Sequence, residues 1–265
     1  MSDETAGWRD PQPGFRYLPD VISVSGDHQR EKLEACGIDP ALFGDEVDPS
    51  FFIGLAIQAG IRSGISAEGN VNMLQTLVQY RPARLEEPLR IHGVITAVTP
   101  VPRGRAIDTD VWFADAAGTR VIRARRRSLE PDAGAPPDAG AGARPAPVIE
   151  DVGQVRQLSG CQLTPERVRA YSMEGNSIHY DPVAAGRAGF RAPIIGGGMG
   201  VHYLTAEIWR RRPPVNLDVE ICFRRPIFWD DEITVGCLGE DGAWRALCLC
   251  REGKILTEVR VNALD

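Results

Sequence analysis

Residues 71–91 read VNMLQTLVQYRPARLEEPLRI, and residues 215–235 read VNLDVEICFRRPIFWDDEITV. Laid over each other at an offset of 144, they match Val71 with Val215, Asn72 with Asn216, Arg81 with Arg225 and Pro82 with Pro226. An acidic pair follows in each, Glu86-Glu87 against Asp230-Asp231, and upstream Pro49 falls on Pro193 in the same register. A repeat at one fixed offset marks a duplicated unit. Each copy runs in the same order. An apolar helical stretch comes first, FFIGLAIQAGIRSG in one half and GMGVHYLTAEIW in the other. Four strand-like segments follow, at 71–80, 88–99, 105–115 and 119–129, then at 216–224, 231–239, 243–251 and 254–263. They are rich in Val, Ile, Thr and aromatics and end in turn signals such as DAAG, EDG and REG. One apolar helix followed by an antiparallel meander predicts an α+β unit, a sheet wrapped around a buried helix, present twice.

The copies are separated by EPDAGAPPDAGAGARPAP, residues 130–147, whose Pro, Ala and Gly content cannot support a core of its own. This predicts domains at 1–129 and 148–265, with 130–147 as linker. The remaining composition is ordinary for a globular protein: 265 residues, 43% hydrophobic and 25% charged, with a net charge of −6. An acidic balance argues against a nucleic-acid surface. Six cysteines lack any C-x-x-C spacing, and with four histidines no zinc-type cluster forms. Cys248 and Cys250 are expected on one buried strand face. The start, MSDETAGWRDPQPG, has no apolar signal region, and no apolar run nears the roughly 20 residues that span a bilayer. A cytoplasmic protein is the expectation, with no membrane partner.

The chemistry-bearing stretch lies in the second half: EGNSIHYDPVAAGRAGFRAP at 174–193, followed by IIGGGM. Thr164-Pro165 and Asp181-Pro182 each read as an N-cap followed by Pro at the first helical position. They predict short helices from 165 to about 171 and over VAAGRAG. The loop between them carries Glu174, Asn176 and His179, a place where rigid elements hold polar groups for chemistry. The glycines then open the apolar helix, whose N-terminal amides suit a developing oxyanion.

The string N-S-I-H-Y-D-P-x-x-A-x-x-x-G-F-x-x-P-I-I-G-G-G-M resembles the signature of MaoC-like (R)-specific enoyl-CoA hydratases and dehydratases, and the repeat is similar to their double-hotdog members. The resemblance covers about 25 residues well. It implies two tandem hotdog domains, the first without catalytic residues. It also implies Glu174 and His179 as the acid–base pair, and Asn176, Gly197 and Gly198 on the substrate and oxyanion side. Glu174 stands where the family has Asp, Met173 where it has Gly, Ser177 where it has Pro, and Gly196 where it has His. At the offset of 144, Ala35 falls opposite His179 and Arg30 opposite Glu174, so the first half carries no such pair. An S-G-D at Ser25 to Asp27 continues as HQREKL and completes no motif.

The activity so implied is reversible hydration of 2-enoyl thioesters, equivalently dehydration of (R)-3-hydroxyacyl thioesters, on coenzyme A or a carrier protein. It requires no cofactor and no metal. A hotdog thioesterase and a non-catalytic acyl-binding subunit stand as alternatives. The chain is expected as a monomer resembling a dimer of single units, or as a homodimer of it. Two basic runs, Arg123 to Arg127 and Arg210 to Arg212, are candidates for coenzyme phosphates, against the plainer reading of solvated faces. His202, on the apolar helix, reads as packing, as does Tyr203.

Overall fold

The computed structural model describes residues 7–132, 134–136, 139–172, 176–240 and 243–265. Two helices form the centres of the two units. α2 (Phe51–Arg62) buries Phe51, Phe52, Ile53, Ala56, Ala59 and Gly60, and α5 (Gly197–Arg211) buries every residue from Met199 to Trp209. A helix apolar on all sides belongs inside a fold, and here sheets surround both.

Among the described residues, ten strands make one antiparallel sheet. The first unit supplies β1 (Asp20–Ile22), β2 (Val71–Gln79), β3 (Leu89–Val101), β4 (Gly104–Ala114) and β5 (Arg120–Pro131). The second supplies β6 (Arg156–Gln162), β7 (Leu217–Phe223), β8 (Glu232–Leu238), β9 (Ala246–Arg251) and β10 (Lys254–Leu264). Their order, β1-β3-β4-β5-β2-β7-β10-β9-β8-β6, is the same from either end once each strand is exchanged for its repeat counterpart. The units meet where β2 pairs with β7, and Thr76 lies directly opposite Glu220, 144 residues on. A residue facing its own counterpart marks a pseudo-twofold axis, so the repeat read from the sequence is a rotation in space.

Eight strands fall close to their predicted spans. The edge strands β1 and β6 were not anticipated. β1 is three residues long, and β6, RQLSGCQ, has no apolar alternation for a period to reveal. A glycine lies beneath the incoming segment in each unit. A Cβ on Gly93 would lie 2.2 Å from the Tyr17 ring, and one on Gly236 would lie 2.4 Å from Val155. The Pro/Ala/Gly segment begins after β5, which extends two residues past the expected boundary to Pro131. It is tied down at Gly140 by the amide of Arg103 (3.1 Å) and at Pro145 by Arg224 (3.1 Å).

The constant offset does not hold in the loops. Asp39 caps Ala41 N, followed by Pro40, as Asp181 caps Val183 N, followed by Pro182. Counting from these matched caps puts Gly37 opposite His179 in place of Ala35. The local slip arises from a different loop length, and the position still lacks an imidazole. Cys248 and Cys250 are buried with their sulfurs 3.4 Å apart. Among the described residues, no helix is long and apolar enough to cross a membrane.

Candidate active site

The loop that carries the motif is held by successive caps. Helix α3 (Pro165–Ser172) starts beside Thr164, whose hydroxyl accepts Arg167 N at 3.4 Å. A 3-10 turn, Ser177–His179, follows with Asn176 as its cap, and Asp181 accepts Val183 N at 2.8 Å to open α4 (Pro182–Arg187). His179 therefore stands on a short rigid step between two capped starts. Its Nδ1–H donates to Ile194 O at 2.8 Å, and the backbone between the two segments closes through Ile194 N to Ile178 O at 3.2 Å. That bond fixes the tautomer and leaves Nε2 with its lone pair. Nε2 lies beside Gly196, 3.6 Å from where a Cβ would be. Burial pushes the His179 pKa below the ordinary imidazole value, opposed by the Ile194 carbonyl and by the charge of Glu68. At neutral pH the ring is an uncharged base.

The same step is fastened to the first unit. Asn176 Nδ2 reaches Ala67 O and Asn70 O, both at 3.4 Å, and its Oδ1 accepts Gly69 N at 3.4 Å. The Ser177 hydroxyl donates to the carboxylate of Glu68. Asn176 thus spends its amide on positioning the loop that follows α2. Glu174 lies outside the described residues. Among the described ones the carboxylate beside His179 is Glu68, which sequence reasoning did not single out because it belongs to the other copy.

The glycines start α5. Gly196 is its N-cap and offers no side-chain acceptor, and the first intrahelical bond runs from Gly200 N to Gly196 O at 3.4 Å. The amides of the first turn, Gly197 and Gly198 included, are thus left without intrahelical partners at the positive end of a 15-residue helix. A Cβ on Gly197 would come within 2.9 Å of both Asn72 Nδ2 and the Phe223 ring. On Gly198 it would meet the Tyr171 hydroxyl at 3.2 Å. Packing against these neighbours demands glycine here.

Behind this turn lies a network the sequence did not disclose. His202 is fully buried, but it does more than pack. Its Nδ1 lies 2.7 Å from Asp48 Oδ2 and 2.6 Å from Ser50 Oγ, and its Nε2 lies 2.9 Å from Tyr171 Oη. Asp48 also accepts from Ser50 N and Oγ (2.9 Å each) and from Thr205 Oγ1 (3.0 Å). Burial, with Cys36 and Asp48 nearby, holds the Tyr171 phenol pKa well above its usual value. The chain Asp48–His202–Tyr171 runs from one unit to the other and ends at the wall beside Gly198. Its members are far apart in sequence, and no local spacing could have joined them.

These groups share one cavity of about 490 Å³, lined by both units. His179, Asn176, Gly197 and Gly198 all face it, together with Glu68, Tyr171, Asn72 and the α2 residues Ile53, Ile57 and Ile61. Four arginines of the two basic runs are engaged in ion pairs. Arg123 and Arg127 pair with Asp110 (2.9 Å) and Asp108 (2.8 Å), while Arg210 and Arg211 pair with Glu207 at 2.5 and 3.3 Å. The cavity is lined by Arg126, a member of the first run, together with Arg103, Arg144, Arg224 and Arg225.

Rv0216 from Mycobacterium tuberculosis, described as having a double hotdog fold, superposes with a TM-score of 0.63 at 14% identity, over 94% of this chain and 95% of that one. The fold is a double hotdog. HtdX (Rv0241c) of Mycobacterium tuberculosis superposes with a TM-score of 0.75 at 18% identity, over 93% of this chain and 100% of that one. A MaoC-like dehydratase from Phytophthora capsici gives 0.72 at 14%, over 95% and 96%. A putative oleoyl thioesterase from Lactobacillus plantarum shares the double hotdog at 0.59 and 12%, over 94% and 95%. No family model matches the sequence, and no curated protein matches it. Likeness at these identities carries the fold, and the reaction has to be argued from the site.

Proposed function

We propose that this double hotdog is a hydro-lyase of the MaoC-like kind, adding water to 2-enoyl thioesters or removing it from (R)-3-hydroxyacyl thioesters. The observation that carries the reading is the meeting of an uncharged His179 Nε2 and the uncapped start of α5 on one cavity. The thioester oxygen accepts from the amides of Gly197 and Gly198, where enolate charge develops and a low-dielectric wall strengthens the bond. His179 Nε2 takes one proton from a water as its oxygen bonds to C3. The C2 carbanion equivalent is protonated by a carboxylic acid at the site, and the proton on His179 returns to that carboxylate. Water is consumed and the enzyme ends unchanged. The carboxyl is Glu174 by the family pattern, while the charge of Glu68 bears on the basicity of His179. Asn176 positions the loop, and the α2 side of the cavity takes the acyl chain. The substrate is carried on coenzyme A or a carrier protein, and the reading belongs to fatty acyl metabolism.

The test is loss of enoyl absorbance with crotonyl-CoA, with free-thiol release followed in parallel. Hydration by the wild type, lost in His179→Ala with the fold intact, is the expected result. Thiol release without hydration would give the thioesterase reading, and absence of both would leave an acyl-binding subunit.

A further inference from the structure

The run Arg123 to Arg127 splits by strand parity. Within it Arg123, Arg125 and Arg127 face outward, Arg123 and Arg127 being paired with Asp110 and Asp108. Arg126 faces inward, on the same side as the buried Ile122, Ala124 and Ser128, and it lines the cavity together with the isoleucines of α2. It enters no ion pair and no side-chain hydrogen bond among the described residues, and its Nε is sealed from solvent without an acceptor. Its cross-strand neighbours on this face are Gln75 and Thr109, both uncharged. The Gln75 Oε1 is itself without a donor, yet one neutral amide could satisfy a single N–H and would leave the charge uncancelled. The ionisable group that senses it is Tyr17, whose burial raises the phenol pKa and keeps it neutral. Burial lowers the Arg126 pKa to about 10, so the cation persists at neutral pH.

Arg126 is half-buried, and a cation without a counter-charge is costly once an alkyl chain drawn over it strips away its remaining water. The fixed fork of a guanidinium matches a carboxylate through two parallel bonds. We infer that the acyl group of the substrate carries a carboxylate, and that Arg126 receives it in the compartment walled by α2 and β5. The substrate class is then the monothioester of a dicarboxylic acid, with the thioester at α5 and the free acid at Arg126. The inference rests on the thioester reading of the cavity and adds the nature of the chain's far end. Arg126 is a specificity-determining residue, separate from the reacting atoms.

Binding, measured without turnover, separates the two ideas. Saturated acyl-CoA thioesters ending in methyl or in carboxylate, matched in length over a series, are titrated calorimetrically into the full chain. At the best length the wild type should bind the carboxylate-ended member at least about tenfold more tightly than its methyl partner. Arg126→Met should abolish or invert that preference, and Arg126→Lys should retain part of it. Should Arg126→Met fail to fold, the wild-type ratio alone decides. Methyl-ended thioesters binding as well as or better than carboxylate-ended ones at every length would overturn the inference and leave the thioester reading standing. Binding of neither series would overturn both.

Discussion

Removing the Asp48 carboxylate tests whether the buried chain between the units is structural glue. Asp48 accepts four donors, from Ser50 N, Ser50 Oγ, Thr205 Oγ1 and His202 Nδ1, and has no exposure to solvent. Asp48→Asn keeps the shape and loses one charge-assisted acceptor, a loss of about 1.5–3 kcal/mol. At about 2–4 °C per kcal/mol for a chain of this size, the Tm falls by about 3–12 °C. Asp48→Ala strands all four donors and should cost about 3–5 kcal/mol, a large share of a typical stability of about 5–15 kcal/mol. The Asn variant also places a donor opposite His202 Nδ1. The imidazole then carries its hydrogen on Nε2 and donates to Tyr171, a reversal visible in nitrogen chemical shifts. Urea unfolding gives the energies, and a cycle with His202→Phe gives the coupling, expected above about 1 kcal/mol for groups in contact. Asp48→Ala within about 0.5 kcal/mol of wild type, or strict additivity in the cycle, would refute the reasoning.

Four further outcomes follow from the site. Because burial lowers the His179 pKa, hydration should keep its base below the ordinary imidazole value, with the acid limb of kcat/KM lying under about pH 6.5. The same shift makes the unfolded chain bind more protons there. Its share of stability is therefore full above that pH and is lost as pH falls through the lower, folded value, which denaturant titrations across pH will show. Glu68→Gln removes a charge that favours the imidazolium, so the acid limb should move to still lower pH; an unmoved limb would separate Glu68 from the histidine. Gly197→Ala drives a methyl to within 2.9 Å of Asn72 and Phe223, and should lower kcat/KM more than tenfold, on the order of 10², by displacing the start of α5. Normal activity in that variant would detach Gly197 from the reaction.

Much of the architecture was legible because repetition and periodicity are written locally. The pairing of Thr76 with Glu220 turns the offset read from Val71 and Val215 into an axis. The caps at Thr164 and Asp181 announced their helices through residue type alone. What stayed hidden depends on contacts between distant segments. Asp48, Tyr171 and His202 meet only after both units fold, and Glu68 reaches the His179 step through a loop docked across the boundary. The β1 and β6 edges lack apolar alternation because their outer sides meet no core. Loop lengths differ between the copies, so a single offset misplaced the position opposite His179 by two residues, to Ala35 where the caps give Gly37. The inward turn of Arg126 was implicit in strand parity, while its lack of a partner was not.

The most direct measurement is a crystal structure of the protein with (R)-3-hydroxybutyryl-CoA bound. Convergence of the site predicts the thioester oxygen about 2.7–3.1 Å from the amide of Gly197 or Gly198. The same complex should bring the C3 hydroxyl to about 2.6–3.2 Å from His179 Nε2. A thioester seated elsewhere, or one whose carbonyl turns away from α5 while His179 faces only the chain, would contradict the account.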